Sequence, residues 1–311
     1  MCRKDATLAL YTNLSEPIGK FAVESDMQRL IITALFYMLG ITPLAHAVQS
    51  RDIPQLLTIA AGDFISGSAA EEREQAYRLD EAAYQHRVTR EQRWYDSERE
   101  RGTEALPPYE ITTTPLTNAQ YHAFVIATGH RRPDVDEATW NQYGLIHPYA
   151  RTRRHAWRDA GPPQGREQHP VVLISHHDAE QYAHWLSRET GQTWRLPTQS
   201  QWEKAVRGTQ GQLFPWGDRF DAKNLNSHDD GPFDTVEVGR YPLGASAFGV
   251  LDGAGQVFEW IATQPGAQRA WVKGGSWDDK GCGVCRPAAR HSRSVDLKHI
   301  LIGFRLVRLP Q

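Results

Sequence analysis

The sequence predicts an irregular, loop-rich α+β domain. Ten tryptophans and 25 glycines accompany few long apolar runs in a chain of 311 residues. That composition suits short elements joined by ordered loops better than a helical bundle. Three starts with strand-then-helix character lie before Gly208, and beyond Phe214 the chain reads as loop and short strand. With 40% hydrophobic residues the chain has core enough for one large domain or two small ones. A formal net charge of -2 gives no global attraction to nucleic acid, and no nucleic-acid partner is expected.

The first 47 residues read as a leader. Met27-Gln28-Arg29 precedes the apolar run Leu30 to Ile41, and Ala45 and Ala47 supply an A-x-A cleavage pattern. The run is short for a bilayer span and its flanks suit a secretory signal starting at about Met27, with the mature chain beginning at Val48. Residues 1–26 carry no apolar periodicity and read as an upstream extension. The expectation is a soluble periplasmic protein, with residues 48–311 as a single domain.

The mature elements follow in order. "LLTIAAGDFISGS" (Leu56 to Ser68) reads as two strands broken at Ala61-Gly62-Asp63. Residues 71–104 change character: both charge signs interleave, Glu and Arg fall three or four apart, and Gly and Pro are missing from 71–101. That pattern predicts an exposed helical insertion. It also carries Tyr77, Tyr84, Trp94 and Tyr95, aromatic types enriched where proteins bind partners; packing of these rings onto their own domain is the alternative. "YEITTTPLTNAQYHAFVIATG" gives a strand at Tyr109–Thr113, a cap at Thr117 or Asn118, and a helix stopped by Gly129. "HPVVLISHHDAEQYAHWLSRETG" repeats the plan, with a β-rich run Val171–Ile174, Ser175 as N-cap and Gly191 as stop. His176 and His177 read as surface or cap residues, because neighbours on a helix point about 100° apart and do not easily share an ion. "WRLPTQSQWEKAVRG" starts a further helix at Thr198 and ends it at Gly208.

Cys2 belongs to the leader, leaving Cys282 and Cys285 in the run "KGGSWDDKGCGVCRPAAR". A zinc ribbon needs a second pair, and a thioredoxin-like site needs a helix start where this run has glycines and Pro287. The pair reads as a disulfide or as two quiet thiols. "NLNSHDDG" and "LDGAGQVFEW" place oxygen donors in glycine-bearing loops without EF-hand spacing. By residue type alone they read as turn formers.

Taken together, "IAAGDFISGS", "TPLTNAQYHAF", "HPVVLISHHDAEQYAHWLS", "WRLPTQSQWEKAVRG", "FPWGD", "FGVLDGAGQVFEW", "KGGSW", "CRPAAR" and "IGFRLV" follow in one order. This block pattern, over about residues 55–309, resembles the formylglycine-generating enzyme (sulfatase-modifying factor) family. The resemblance implies an irregular fold related to C-type lectins and stabilised by calcium. It assigns one structural calcium site to Asn224, Leu225, Asp230 and Pro232, and a second to Asp252, Gly255, Val257 and Glu259. The resemblance gives the first site two side chains alternating with two backbone carbonyls, and the second two carbonyls between two carboxylate side chains.

The catalytic pattern is where the likeness fails. Family enzymes that make formylglycine use two cysteines, five apart, to hold copper and exchange with the substrate thiol. Cys282 falls on the second of these, the first has no counterpart, and Cys285 sits where the pattern has no catalytic residue. Two thiolates holding copper is soft-ligand chemistry that a thiolate with a carboxylate replaces poorly, so copper is not expected. What is left is a vestigial pocket at Ser276, Trp277, Asp278, Cys282, Arg286 and Arg290. The expected function is a non-catalytic regulator acting by protein binding, after periplasmic relatives that promote activation of a membrane threonine kinase controlling type VI secretion. Its partner would be the periplasmic region of a membrane protein, with Tyr84, Trp94 and Tyr95 in the contact. The alternative is a metal-dependent oxidase using copper or non-haem iron on a protein or siderophore-like substrate, working near the same pocket and His291.

Overall fold

A computed structural model of the chain describes residues 52–158 and 161–310. The leader and its cleavage pattern lie outside the described residues. Val48–Gln311 forms one compact unit. In chain order the regular elements are β1 (Leu56–Ile59), β2 (Gly62–Ser66), α1 (Ala70–Tyr84), α2 (Val88–Glu91), β3 (Gly102–Leu106), β4 (Tyr109–Thr112), α3 (Asn118–Thr128), α4 (Glu137–Gln142) and α5 (Tyr149–Thr152). They continue with α6 (His176–Thr190), β5 (Thr193–Arg195), α7 (Gln199–Arg207), β6 (Phe258–Trp260), β7 (Arg269–Lys273), β8 (His291–Ser294), β9 (Ile302–Gly303) and β10 (Val307–Leu309).

Two small sheets organise the domain. One has the order β1-β4-β10-β5, all antiparallel, with Ile111 of β4 opposite both Leu57 and Val307. The first and last strands of the domain therefore close into one sheet. The other has the order β8-β7-β6-β9, with β6 and β9 parallel. Helix α6 turns Tyr182 and Leu186 inward against Tyr121 and Phe124 of α3, and all four are buried. Among the described residues no helix is long and apolar enough to cross a membrane.

The helix punctuation works as its residue types require. Thr117, Ser175 and Thr198 each accept a hydrogen bond from the backbone three residues on, and Gln120, Asp178 and Gln201 return it as reciprocal boxes. Gly129 and Gly191 end α3 and α6 in the left-handed conformation, at φ 69° and 66°.

Two segments differ from expectation. Val171–Ile174 is buried but forms no strand: Leu173 takes φ 60°, and Val171 and Leu173 donate instead to the carbonyls of Leu116 and His299. The segment 71–104 is not one exposed helix. Gln85 caps α1 at φ 58°, α2 is a single turn, and Gly102 opens β3, which pairs along its whole length with β2. The insertion is thus the elaborated end of a β-hairpin.

Candidate functional site

The insertion docks on the CGVC loop, and glycines permit it. A Cβ on Gly281 would lie 2.6 Å from the Leu79 carbonyl, and one on Gly283 would lie 2.8 Å from that of Ala76. With no side chain at either position, α1 rests directly on loop backbone. Hydrogen bonds fix the contact. The Gly283 N–H donates to Asp80 at 3.0 Å, the Lys280 N–H donates to the Tyr84 hydroxyl at 2.9 Å, and the Tyr95 hydroxyl donates to Asp80. Burial raises the pKa of Asp80. Tyr95 is fully buried and Tyr84 and Trp94 are half-buried. All three face their own domain, which corrects the expectation that they form a partner-binding surface.

The expected vestigial pocket is rearranged by the same docking. Cys282 and Cys285 are joined as a disulfide, and both are buried. Arg286 donates to Glu98 of the insertion at 2.5 and 3.3 Å and covers the Tyr95 ring at 4.9 Å. Arg290 stacks on Trp271 at 4.1 Å and donates to the Ser97 carbonyl and the Gln199 side chain. Both arginines are structural ties rather than pocket residues. Trp277 is buried beneath Arg151, whose guanidinium lies 5.0 Å from the ring centre. The Ser276 hydroxyl donates to Asp279 at 2.7 Å, and Asp278 pairs with His147 at 3.0 Å.

A cavity of about 260 Å³ lies beside this loop, and Trp94, His147, Phe258, Asp279, His291 and His299 line part of it. Burial lowers His291 and His299 to about 3, so both imidazoles are neutral. His299 Nδ1 accepts from the Leu301 N–H at 3.1 Å, and its ring stacks on Trp140. His291 Nε2 is buried without a hydrogen-bond partner, and Trp94 meets that ring edge-on at 5.3 Å. Burial raises Asp279 to about 7, with Ser276 opposing the shift and Asp278 adding to it. The site therefore combines apolar walls, neutral imidazoles and a carboxyl group that titrates near neutrality. It can take a small apolar group carrying one hydrogen-bonding function. Of these residues Trp94 and His291 were among the sequence candidates, Trp94 for a partner contact and His291 for the pocket. His147 and His299 lie in stretches with no distinguishing spacing, and Asp279 lies in the singled-out cysteine run, where the candidate is its neighbour Asp278.

Copper does not fit this site: its soft chemistry needs thiolates, and the two sulfurs near the cavity are bonded to each other. The two acidic loops suit calcium better. They lie side by side, since the Gln256 N–H donates to the Asn226 carbonyl and Asp230 and Asp252 both act on the Tyr241 hydroxyl. Asn224 is half-buried and Asp230 exposed. Asp252 is buried at φ 54°, accepts from the Gly239 N–H at 2.7 Å, and is pushed up to about 6 by burial. A cation would relieve that buried carboxylate. Glu259 does not fit the role expected of it. Arg305 donates to both its oxygens, at 2.6 and 2.8 Å, and Trp202 donates to one at 2.7 Å. Its charge is already met by Arg305, so of the second loop's two expected carboxylate ligands Asp252 is the one with unmet demand for a cation.

Comparison with known proteins matches residues 43–310 to the sulfatase-modifying factor enzyme 1-like domain. The formylglycine-generating enzyme of Mycobacterium tuberculosis is 30% identical over 290 residues, covering 70% of this chain and 93% of the relative. The inactive C-alpha-formylglycine-generating enzyme 2 of Mus musculus is 29% identical over 219 residues, covering 60% and 68%. A hercynine oxygenase of Mycolicibacterium thermoresistibile is 29% identical over 248 residues, covering 68% of this chain and 53% of the relative. In fold the chain is similar to PvdO of Pseudomonas aeruginosa, with a TM-score of 0.63 at 23% identity, over 84% of this chain and 96% of PvdO. The chain belongs to the formylglycine-generating enzyme (sulfatase-modifying factor) family.

Proposed function

We propose that this protein is a non-catalytic family member that works in the periplasm as a regulator by binding another protein. The observation that carries the reading is the sealed sulfur pair: Cys282 and Cys285 are bonded, buried and overlaid by the insertion. The formylglycine reaction needs one thiol for copper and another for exchange with substrate, and the site offers neither. A family relative named as inactive supports the same direction. The partner is the periplasmic region of a membrane protein, with a threonine kinase controlling type VI secretion as the candidate class. With the insertion's aromatics turned inward, the contact moves to the cavity mouth. There Ile146 is 87% exposed, the most exposed of the large hydrophobic residues among those described. An apolar side chain standing free beside a part-apolar cavity is the composition of a recognition anchor. Calcium at the two acidic loops belongs to this proposal as a structural staple.

The test is capture of the candidate kinase's periplasmic region by the purified full chain, compared with Ile146→Asp. Loss of capture in a variant that melts normally supports the reading. Equal capture by both, or aldehyde formation on a sulfatase-motif peptide by the copper-loaded protein, overturns it. The oxidase reading draws on Asp279, which titrates near neutrality beside His291. Among the described residues the cavity's imidazoles and carboxylates do not converge as a metal-ligand cluster, which favours binding over oxidation. Stoichiometric iron with turnover of a siderophore-like substrate would reverse that order.

A further inference from the structure

At the start of α6, among residues given no role above, one imidazole is in an electrostatic conflict. His176 is buried, and its Nε2 lies 3.0 Å from the Ile261 carbonyl. A carbonyl only accepts, so Nε2 carries the proton and Nδ1 presents a lone pair. That Nδ1 has no hydrogen-bond partner. What it faces, at 3.5 Å, is Glu180 Oε2, another lone-pair bearer. His177 Nδ1 stands 3.6 Å from the same oxygen. Two things can resolve the clash: a second proton on His176, or a cation shared among the three. A shared cation engages all three lone pairs at once, whereas a proton on His176 Nδ1 leaves the His177 lone pair facing Glu180.

We propose that His176 Nδ1, His177 Nδ1 and Glu180 Oε2 form a binding site for a late first-row divalent transition metal of the zinc class. One ligand atom from each of the three residues lies within 4.8 Å of those of the other two. Ligands at roughly 2.05 Å around a tetrahedral ion stand about 3.4 Å apart, close to the 3.5 and 3.6 Å seen to Glu180. The second shell is of the kind such sites use. Ile261 orients the His176 ring through Nε2, and Asp296 lies 3.8 Å from Nε2 of His177. Neighbouring residues on a helix do diverge by about 100° at the backbone. Here both rings nonetheless turn Nδ1 toward the same i+3 and i+4 carboxylate, so backbone divergence does not keep them from one shared acceptor. His177 and Glu180 are 54% and 40% exposed, so the ion has access from solvent and a fourth position is open to water or to a donor from another molecule. The His176 N–H also donates to the Val295 carbonyl. The ion would thus pin the start of α6 where the ends of β6 and β8 converge.

The experiment uses untagged, oxidised full-length protein stripped with chelator and titrated with cobalt(II), then with zinc. The expected result is one equivalent of cobalt with tetrahedral-type visible absorption, displaced by zinc. His177→Ala and Glu180→Gln alter exposed side chains and leave the fold intact. Each should weaken binding at least tenfold, the low end of what loss of a supporting group costs a metal site. No cobalt spectrum in the parent protein, or equal affinity in parent and both variants, overturns the proposal. Neither result bears on partner capture, which is measured separately.

Discussion

Glu98 and Arg286 form a buried ion pair that joins the insertion to the CGVC loop across 188 residues of sequence. The Tyr95 ring lies against the guanidinium, and the Asp80 carboxylate sits nearby. A charged insertion usually implies a solvated decoration. Here its charge pattern hides an inner face of Ala76, Tyr77, Asp80, Tyr95 and Glu98, all buried. The insertion covers the loop that carries Cys282 and Cys285.

Breaking the pair from one side should be costly. Glu98→Gln leaves the Arg286 charge buried without its partner, and the cost of such a change is about 3–5 kcal/mol. Urea unfolding should move to a lower midpoint, and the double variant Glu98→Gln/Arg286→Met should recover much of the loss. A single variant within about 0.5 kcal/mol of the parent, the range of an ordinary surface change, contradicts a buried tie.

Gly283→Ala tests the close approach from the other side. The new methyl would meet the Ala76 carbonyl at 2.8 Å and an Asp80 oxygen at 2.7 Å. Overpacking of this kind costs about 1–3 kcal/mol. Limited proteolysis should then cut faster in the exposed joint Gln85–Val88. Unchanged melting together with unchanged cleavage would mean that α1 does not rest on this loop.

These two positions also show what the sequence revealed and what it withheld. Helices α3, α6 and α7 were legible because Thr117, Ser175, Thr198 and the closing glycines act within a few residues of themselves. The family was legible for the same reason, as ordered local blocks. The glycines flanking Cys282 read correctly as loop, but their cause is a helix two hundred residues earlier. The cavity was not legible, since His147, Asp279 and His299 meet only through tertiary packing. His176 reads as a surface or cap residue but is buried, because its ring is drawn in by the Ile261 carbonyl, a contact no local spacing announces.

The buried imidazoles set a pH dependence with a definite sign. In the unfolded chain a histidine titrates near 6.5, whereas burial holds His291 and His299 at about 3. Below pH 6.5 the unfolded state takes up protons that the folded state refuses. Their contribution is therefore fully present above 6.5 and is lost as pH falls toward 3. Each imidazole should account for roughly 1.4 kcal/mol per pH unit in that window. Asp279 runs in the opposite direction: raised to about 7, its contribution is present in acid and lost as pH rises from its unfolded value. His299→Gln should flatten the acid limb of stability against pH by about one proton, measured by urea unfolding at several pH values. Imidazole resonances of both residues should stay neutral at pH 5. A ring titrating near 6 would mean that it faces water.

The last prediction separates calcium from the ion pair beside it. If calcium staples the two acidic loops, binding to the folded state alone stabilises by mass action, about 2.7 kcal/mol at a hundredfold excess over the dissociation constant. Chelator should lower the melting temperature and added calcium should restore it. Asp252→Asn and Asp230→Asn should each blunt that response, because each removes a charge that, among the described residues, no arginine or lysine side chain contacts at salt-bridge distance. Glu259→Ala should behave differently. It leaves Arg305 buried without the carboxylate that takes two of its donors, so the protein should be destabilised equally with and without calcium. A melt indifferent to chelator and calcium would leave these loops to their own hydrogen bonds. The framework for that outcome is visible: the Asn226 amide donates to the Asp234 carbonyl and to Gln256, and Gln256 exchanges hydrogen bonds with the backbone of Val236. Asn226→Ala would then become the damaging change, and Asp252→Asn would stabilise the protein at neutral pH by removing a buried charge whose proton burial already favours.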